Sequence, residues 1–397
     1  MKKQKVVEFE VLAEDGPARV SKMGFHRPSD FYFETPIFMP VATQGSLKGL
    51  SIDQILNLPH SPPIILGNTY HLGLRPGPEL LEEVGGLHKW MNWPHGMLTD
   101  SGGFQMVSLS KLCKVSEDGV YFSAPHASGA EILLKPEDSI HIQNAIGSNI
   151  AMMLDDVVPS LTTGPRVEEA MHRTLRWLDR AIESHKRPHD QAIFAIVQGG
   201  LNQDLRKQCA EEMVKRKESL GGFAIGGLSG GEAKDIFWKS VKTSVSVLPK
   251  DMPRYCMGVG YAEDIAVCIA LGVDMFDCVF PTRTARFGTA LIWSGSDHVS
   301  KWKDSQDPIE KDCGCWTCTH MSKTALYQIK DTPMCGQLLS IHNVEFQGRL
   351  TAYLREGIRK GLLGEYLNKF FHERYPDGGI PQWIVDALRS VNIELTY

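Results

Sequence analysis

The sequence of 397 residues contains no long hydrophobic run. None of its apolar stretches approaches the ~18 residues that a membrane span requires. The beginning of the chain, MKKQKVVEFEVLAEDG, carries charges but no apolar segment of the kind found in a secretory signal. Internal repeats, low-complexity tracts and flexible linkers are also absent from the sequence. We therefore expect a cytoplasmic globular protein with at least one large core.

The sequence has no excess of basic residues either. Its 42 Lys and Arg residues are outnumbered by 47 Asp and Glu residues, and the net charge is −5. This balance excludes a positive field over the whole molecule of the kind that attracts nucleic acids. A polyanionic partner would have to bind a local basic patch.

A disulfide framework is not indicated, because the nine cysteines are an odd number and three of them cluster in DCGCWTC. Cys313, Cys315 and Cys318 have a C-x-C-x2-C spacing that directs three sulfur atoms at one metal ion. Tetrahedral zinc requires a fourth ligand. We predict His342, because the apolar helical stretch LLSIHN would hold its ring rigidly, and Cys335 is the alternative. Four protein ligands leave no open position, so the predicted zinc site is structural.

Eight short runs that are apolar throughout recur along the chain, with helical patterns between them. The runs are IFMPV (37–41), PIILG (63–67), GMLT (96–99), IAMMLD (150–155), IFAIVQ (193–198), GFAIGG (222–227), YCMGVG (255–260) and DMFDCV (274–279). Such runs are typical of strands buried on both faces of a parallel sheet. Eight of them predict an α/β fold with a closed (β/α)8 TIM barrel, and a doubly wound open sheet is the alternative.

Amphipathic helical patterns fill the intervals between the runs. They cover residues 51–58, 76–84, 136–146, 166–186, 201–217, 231–247 and 261–271. The first of them begins with Ser51 and Gln54 at the spacing of a capping box. Seven of the eight apolar runs are thus followed by helical sequence, as the barrel interpretation requires.

Two segments are longer than a minimal barrel requires. Residues 105–131 contain VYFSAP, which predicts an inserted hairpin, and residues 290–343 contain the cysteine cluster. We predict a barrel core over residues 1–289, with an N-terminal extension and the 105–131 insertion. An inserted zinc-binding subdomain follows over 290–343, and a C-terminal helical segment over 344–397 completes the barrel.

Polar or glycine residues stand at the ends of seven of the eight apolar runs. These ends are Asn68-Thr69, Asp100-Ser101, Asp155-Asp156, Gln198-Gly199-Gly200, Gly226-Gly227, Gly258-Val259-Gly260 and Asp277. A turn would explain any one of them. In a (β/α)8 barrel, however, all these ends meet on the face that carries the active site. The pattern therefore predicts one shared pocket.

The residue types at these ends suit a planar, purine-like base. Asp100 precedes a Ser-Gly-Gly turn whose amides can approach a ligand closely, and Phe104 follows at a position suited to stacking. The carboxylates of Asp155 and Asp156 and the amide of Gln198 match the donors and acceptors of a base edge. A base-binding pocket is the resulting hypothesis.

Two carboxylates across this pocket suggest a reaction at a glycosidic carbon. Asp100 and Asp277 have the chemistry of a general acid/base and a nucleophile. Cys278 is the neighbouring thiol, but it should point to the opposite side of the strand, so we interpret it as a packing residue.

Taken together, the motifs of this chain resemble the tRNA-guanine transglycosylases, most closely their eukaryotic catalytic branch. They are NTYHLGLRPG, MLTDSGGFQM, FAIVQGGL, GFAIGGLSGGE, YCMGVG, DMFDCVFPTRTARFGTAL and CGCWTC with IHN. The resemblance covers nearly the whole chain. It implies a zinc-containing (β/α)8-barrel pentosyltransferase that exchanges guanine for queuine at the wobble position of tRNAs with GUN anticodons, those for Asp, Asn, His and Tyr.

The resemblance also implies a role for individual residues. Asp277 corresponds to the nucleophile that attacks the ribose and holds a covalent tRNA intermediate, and Asp100 corresponds to the general acid/base. The implied substrate-binding residues are Asp100, Ser101, Gly102, Gly103, Phe104, Asp155, Gln198, Gly227, Leu228 and Met257. The implied tRNA-binding residues are Gly258, Val259, Gly260, Tyr261, Ala262, Glu263, Asp264, Thr282, Arg283, Thr284, Ala285 and Arg286. The implied zinc ligands are Cys313, Cys315, Cys318 and His342.

The eukaryotic branch of the family implies a heterodimer with a homologous non-catalytic subunit, located in the cytoplasm and peripherally at the mitochondrial outer membrane. Because Asp100 and Asp277 are both present, we assign the catalytic role, and a non-catalytic tRNA-binding subunit is the alternative. Bacterial members typically have Cys and Val at the places of Val157 and Gly230. The lack of a side chain at Gly230 suggests room for the cyclopentenediol group of queuine.

Overall fold

The strands form one closed barrel and three small antiparallel sheets in the computed structural model, which describes residues 6–103, 114–123 and 131–396. The strands are β1 (Glu8–Asp15), β2 (Ala18–Phe25), β3 (Phe31–Thr35), β4 (Ile37–Ala42), β5 (Ile64–Gly67), β6 (Gly96–Thr99), β7 (Lys114–Val115), β8 (Val120–Ser123), β9 (Glu131–Leu134), β10 (Ile150–Met152), β11 (Ala192–Val197), β12 (Gly222–Ile225), β13 (Arg254–Cys256), β14 (Met275–Cys278), β15 (Thr289–Ile292) and β16 (Gly295–His298).

Helices alternate with the barrel strands and continue beyond them. They are α1 (Ile52–Leu56), α2 (Thr69–Leu74), α3 (Pro78–Val84), α4 (Leu87–Met91), α5 (Pro136–Ile146), α6 (Pro165–Ser184), α7 (Gln203–Val214), α8 (Lys234–Val247), α9 (Ala262–Ala270), α10 (Phe280–Arg286), α11 (Trp316–His320), α12 (Lys323–Gln328), α13 (Pro333–Lys360), α14 (Leu363–Arg374) and α15 (Gln382–Arg389). Within the described residues, no helix is long and apolar enough to cross a membrane.

The barrel is the predicted one. Its strand order is β4-β5-β6-β10-β11-β12-β13-β14, and β14 closes the ring by pairing with β4 in parallel. These strands are the eight apolar runs of the sequence, and β5, β6, β11 and β12 are buried at every residue. The prediction of a (β/α)8 barrel is confirmed, and the alternative of an open sheet is wrong.

The helices also follow the predicted pattern, with boundaries that shift by a few residues. The predicted helix over 136–146 is α5, and the one over 166–186 is α6. The capping box before α1 is present, since Gln54 N donates to Ser51 Oγ over 3.2 Å and Ser51 N donates to Gln54 Oε1 over 2.9 Å.

An antiparallel sheet of β1, β2 and β3 packs beneath the starts of the barrel strands. Phe25 lies against Gly96, the first residue of β6. Arg19 of β2 forms a fully buried ion pair with Asp274, just before β14, over 2.6 Å. The amide of Arg254 donates to the same carboxylate over 2.7 Å. This end of the barrel is therefore closed by the N-terminal extension.

The predicted insertion over 105–131 and the predicted zinc-binding subdomain over 290–343 contact the barrel in different ways. In the first, β8 pairs with β9, and Val120 and Phe122 pack on Trp177 of α6. Most of the predicted insertion lies outside the described residues. In the second, α13 runs without a break from Pro333 to Lys360, across the boundary predicted at 343/344. One helix thus connects the cysteine-rich segment to the barrel.

Candidate active site and zinc centre

The carboxyl ends of the barrel strands bring the predicted pocket residues together. Gln198 follows β11, and its Nε2 donates to Asp155 Oδ2, after β10, over 2.7 Å. On the other side of β12, Met257 Sδ would lie 3.6 Å from a methyl group at Gly226. Residues from at least four neighbouring strands therefore line one site.

Asp277 occupies a structured position at the end of β14. Its Oδ1 accepts a hydrogen bond from the Tyr255 hydroxyl over 2.6 Å and another from the Gly258 amide over 2.8 Å. Burial raises the pKa of Asp277, and the Gly258 amide and the Tyr255 hydroxyl oppose this rise. The carboxylate is therefore oriented and partly stabilised as an anion, while part of the residue stays accessible.

The neighbouring thiol has the opposite properties. Burial, followed by the charge of Asp277, raises the pKa of Cys278 to about 11, so the thiol stays protonated near neutral pH. Its side chain packs beside Gly260, where a methyl group would lie 2.5 Å from Cys278 Cβ. Of these two candidate nucleophiles, the geometry favours the carboxylate.

Asp100 is held by groups from the preceding strand end. Asn68 Nδ2 donates to its Oδ2 over 2.7 Å, and the Thr69 amide donates to its Oδ1 over 2.9 Å. The Gly102 amide adds a longer contact of 3.2 Å to Oδ1. The negative charge of Asp100 is one of the influences that raise the pKa of Tyr255, after burial and Asp277. The charges of both acids therefore act on the Tyr255 hydroxyl.

The adjacent acids Asp155 and Asp156 face different surroundings. Asp156 accepts hydrogen bonds from Arg166 Nη2 over 2.5 Å and from Arg173 Nη1 over 2.6 Å, both on α6. Asp155 instead faces Gln198, and burial raises its pKa to about 6, although the Gln198 hydrogen bond lowers it. Asp156 therefore anchors the loop to a helix, and Asp155 is the member of this pair that contacts Gln198.

Gln198 keeps an acceptor available for a ligand. Its Oε1 is buried and has no hydrogen-bond partner within the described part of the chain. Gly227 adopts φ +69°, and a methyl group there would collide with Gln198 Oε1. A glycine is therefore needed at position 227 for both backbone conformation and space.

The sequence-based hypothesis missed three residues that shape this pocket. Tyr255 donates to Asp277, and Arg206 donates from Nε to Gly200 O over 2.7 Å and from Nη2 to Gly226 O over 2.8 Å. Glu232 accepts from the amides of Ser229 over 2.5 Å and Gly230 over 2.9 Å. The sequence signal that could have identified Arg206 is its position on the apolar side of α7, where an arginine must find partners inside the protein.

The remaining substrate-binding candidates flank the pocket at different depths. Ser101, Gly102 and Gly103 are buried, whereas Leu228 and Met257 are half-buried. Gly102 adopts φ +82°, and a methyl group there would lie 3.2 Å from the Tyr70 amide. Phe104 lies outside the described residues.

The predicted tRNA-binding loops are only partly open to solvent. Gly258, Tyr261, Arg283 and Arg286 are exposed, and Glu263 and Thr284 are half-buried. The buried members are Val259, Gly260, Ala262, Asp264, Thr282 and Ala285. The Glu263 carboxylate is engaged by Arg374 over 2.5 Å. Among the loop residues, the exposed cations and Tyr261 offer the side chains that can reach a large ligand.

The predicted zinc ligands converge on one buried point. The ligand atoms of Cys313, Cys315, Cys318 and His342 all lie within 4.8 Å of one another. His342 Nε2 donates to Leu291 O over 2.8 Å, which leaves Nδ1 directed at the three sulfur atoms. Three sulfurs and one imidazole fit a tetrahedral structural zinc ion. The choice of His342 is confirmed.

The alternative ligand Cys335 is excluded from this group. It is buried at the start of α13, and it does not belong to the cluster of four ligand atoms found among the described residues. Burial raises its pKa, which favours a neutral thiol there. Cys335 is therefore a packing residue.

Fold and site together define a class of protein: a (β/α)8 barrel with a structural zinc site and a carboxylate-lined pocket at the carboxyl ends of its strands. A family model described as queuine tRNA-ribosyltransferase matches residues 15–376. Full-length relatives agree with this match. The chain is 49% identical to the queuine tRNA-ribosyltransferase catalytic subunit of Schizosaccharomyces pombe, over 98% of both chains.

Two further relatives extend the comparison to an animal and a bacterium. The chain is 46% identical to the queuine tRNA-ribosyltransferase catalytic subunit of Caenorhabditis elegans, over 98% of this chain and 100% of the relative. It is 41% identical to the queuine tRNA-ribosyltransferase of Thermus thermophilus, over 96% and 98%. The chain belongs to the queuine tRNA-ribosyltransferase family, the tRNA-guanine transglycosylases that its motifs resemble.

Proposed function

We propose that this protein is the catalytic tRNA-guanine transglycosylase that exchanges guanine for queuine at the wobble position of GUN-anticodon tRNAs. The observation that carries the mechanism is the position of Asp277. Its carboxylate ends a barrel strand, is oriented by Tyr255 and Gly258, and faces the same pocket as a base-reading pair, Asp155 and Gln198.

The first displacement removes guanine. The Asp277 carboxylate attacks C1′ of the ribose while the bond from C1′ to the guanine nitrogen breaks, which leaves an ester between enzyme and tRNA. Asp100 acts as a general acid for the departing guanine. The base must leave the anticodon stack to reach the pocket, as in other enzymes that act on bases.

The second displacement installs queuine. Asp100 now accepts the proton from the ring nitrogen of the entering base, and that nitrogen attacks C1′. The ester bond to Asp277 breaks and restores the carboxylate. The covalent ester keeps the tRNA attached between the two steps.

Recognition of the base is assigned to groups already held in place. The Asp155 carboxylate and Gln198 Oε1 can accept N–H groups of the guanine edge, and the Gly227 amide can donate to its carbonyl oxygen. Met257, Leu228 and, in the segment outside the described residues, Phe104 would enclose the ring. Because these contacts are common to guanine and queuine, the same edge can be read in both steps.

The tRNA is proposed to bind across residues 258–264 and 282–286. Arg283 and Arg286 are exposed and have no carboxylate partner among the described residues, so they are available for phosphates. The zinc ion would be held by the Cys3His group as a scaffold for this region, because that group offers no open coordination position.

We propose a homologous non-catalytic subunit as the protein partner. The names of the fission yeast and nematode relatives describe those proteins as catalytic subunits. On this chain, Trp316 and Met334, both within residues 290–343, are 51% and 53% exposed. Such large apolar side chains suit a protein contact. The domain division at 289/290 and 343/344 is likewise proposed, with α13 shared across the second boundary.

A cytoplasmic location is proposed, with peripheral association at the mitochondrial outer membrane as its extension. The described cysteines are free thiols or members of the zinc group. Reduced thiols and zinc-bound thiolates suit a reducing compartment. Association with a membrane surface would then depend on contacts made by the protein or its partner.

The proposed function is tested by trapping the covalent intermediate. The protein, with and without its partner subunit, is incubated with a GUN-anticodon tRNA and analysed under denaturing conditions. Asp277→Asn should abolish both the adduct and exchange of labelled guanine. Cys278→Ser should retain both, because the thiol packs away from the reaction. An adduct that survives Asp277→Asn would contradict the assignment of the nucleophile. Wild-type protein that binds the tRNA but forms no adduct and exchanges no guanine would favour a non-catalytic tRNA-binding role.

A further inference from the structure

A buried hydroxyl group beside the pocket has no hydrogen-bond partner. Ser160 is 6% exposed, and its Oγ makes no hydrogen bond within the described part of the chain. Buried hydroxyl groups normally find a partner, because an unsatisfied one costs free energy. A ligand group is one partner that would satisfy it.

Ser160 lies in a turn that packs against the loop after β12. It follows Asp155 in the loop after β10, and the Thr162 amide donates to Pro159 O over 2.8 Å around it. A methyl group at Gly230 would lie 2.6 Å from Ser160 Oγ and 3.1 Å from its Cβ. The hydroxyl is therefore directed at the loop after β12, and the strand of Gln198 lies between the two loops.

The opposite wall is equally well defined. Glu232 accepts hydrogen bonds from the amides of Ser229 and Gly230, and Ser229 adopts φ +61°. These contacts hold the backbone at Gly230 in one conformation. Since both loops are fixed, the approach of Ser160 to Gly230 does not depend on a mobile side chain.

We propose that the Ser160 hydroxyl binds a hydroxyl-bearing substituent of the base that enters the pocket. The inference rests on the proposed function, where the entering base is queuine and the substituent is its cyclopentenediol. A serine hydroxyl can both donate to and accept from such a group. Guanine has no such substituent, so Ser160 would contribute to selectivity between the two bases.

The absence of a side chain at Gly230 therefore has two consequences. A side chain at position 230 would occupy the space of the Ser160 hydroxyl as well as the space of a substituent. Gly230 therefore admits the serine in addition to leaving room for the ligand. For that reason, a Gly230→Val variant alone does not separate lost space from a displaced hydroxyl.

The test replaces the hydroxyl and leaves the space. We expect Ser160→Ala to lower kcat/KM for queuine about five- to tenfold, mainly through KM, the effect of one neutral hydrogen bond. Exchange of guanine should stay within twofold. A 7-deazaguanine that carries an aminomethyl group and no hydroxyls should be equally unaffected. Thr163→Ala, an exposed residue of the same loop, is the matched control and should change nothing.

Binding without turnover separates this inference from the proposed function. Queuine and guanine are titrated into the full-length protein by calorimetry in the absence of tRNA. Weaker binding of queuine alone in Ser160→Ala supports the proposal, even in a protein that transfers no base. Equal losses for both bases would make Ser160 a structural residue, and unchanged queuine binding would exclude the contact. Wild-type protein that exchanges no guanine would refute the proposed function instead.

Discussion

At the scale of single residues, side chains that are adjacent in the sequence differ in the contacts that surround them. Asp156 is neutralised by two arginines of α6, and Asp155 is left with the amide of Gln198. Asp277 and Cys278 also differ, since the Tyr255 hydroxyl and the Gly258 amide favour the anion of the acid, whereas burial and the charge of Asp277 keep the thiol protonated. The contacts of each side chain thus separate the proposed nucleophile and base-binding acid from their structural neighbours.

The pKa of Asp155 leads to a prediction about pH. Burial raises this pKa to about 6, and the ionised carboxylate is the form that can accept N–H groups of guanine. Lowering the pH therefore protonates the acceptor, and the Kd for guanine should be about tenfold weaker at pH 5 than at pH 8. Calorimetric titration across this range measures the effect.

The control for this prediction is Asp155→Asn. The variant should bind guanine weakly at every pH, because the amide does not titrate. A wild-type Kd that stays constant between pH 5 and pH 8 would show that the ionised Asp155 carboxylate does not bind the base.

At the scale of elements, helices hold the strand-end loops that carry the pocket. Arg206 of α7 bridges the carbonyl groups of Gly200 and Gly226, which follow two adjacent strands. Further along the chain, α13 contributes His342 to the zinc group and Gln347, whose Nε2 donates to Gly260 O over 2.8 Å. Both helices thus connect the outer ring to loops at the active face.

Arg206 is predicted to be a positioning residue for base binding. Burial lowers its pKa to about 10, so it remains charged at neutral pH and each of its two bonds is charge-assisted. Arg206→Met should release the Gly226 carbonyl and misplace the Gly227 amide. We expect KM for guanine to rise roughly tenfold or more in steady-state exchange assays.

A matched variant distinguishes this effect from a general loss of arginine. Arg216, just beyond the same helix, pairs with Asp179 over 2.5 Å and is partly exposed. Arg216→Met should leave KM for guanine within about twofold. Equal effects of the two substitutions would argue against a specific role for Arg206.

Loss of zinc is predicted to destabilise α13 and the proposed tRNA-binding loops connected to it. His342→Ala removes a ligand, so the variant should contain less than one zinc ion per chain and melt roughly 5–10 °C lower. KM for tRNA should rise because Gln347 no longer holds Gly260. Cys335→Ser, in the same helix but outside the zinc group, should retain full zinc content by atomic absorption. Zinc loss from both variants would contradict this assignment.

At the scale of the whole molecule, the two ends of the barrel have separate functions. The carboxyl ends carry the acids of the pocket, and the opposite end is closed by the N-terminal sheet. The closure depends on a buried ion pair between Arg19 and Asp274. Stability and chemistry are therefore located at opposite ends of the same strands, as is usual for this fold.

Breaking the buried pair should reduce stability while retaining activity below the melting temperature. Asp274→Asn leaves the Arg19 charge buried without its partner, and we expect the free energy of unfolding to fall by about 3–5 kcal/mol. Urea titration measures this change. Glu34→Gln removes an exposed pair with Arg359 and should cost no more than about 1 kcal/mol. A similar small loss for both variants would show that the buried pair is not essential.

Much of the fold could be predicted because its pattern is local and repeated. Each barrel strand is a short run that is apolar throughout, which requires burial on both faces wherever the run lies. The zinc group could also be predicted from the sequence, because C-x-C-x2-C places three sulfur atoms together within a few residues. His342 needed only a rigid helical context.

Other features could not be predicted because they depend on contacts between distant segments. Nothing in the local sequence around Tyr255 indicates that its hydroxyl reaches Asp277, and Glu232 resembles an ordinary loop acid until its two amide partners are seen. Similarly, Gly230 indicated only missing bulk, whereas the structure places Ser160 in the adjoining space.

The sequence by itself determined the barrel, the zinc ligands and the family, because each depends on residue types at short, regular spacings. The tertiary structure alone decided which groups meet. It turned Asp155 toward the pocket and Asp156 away from it, and it brought Ser160 from the loop after β10 against Gly230 after β12. Hydrogen bonds and burial act over a few ångströms, so they appear only when the strands have closed into a ring.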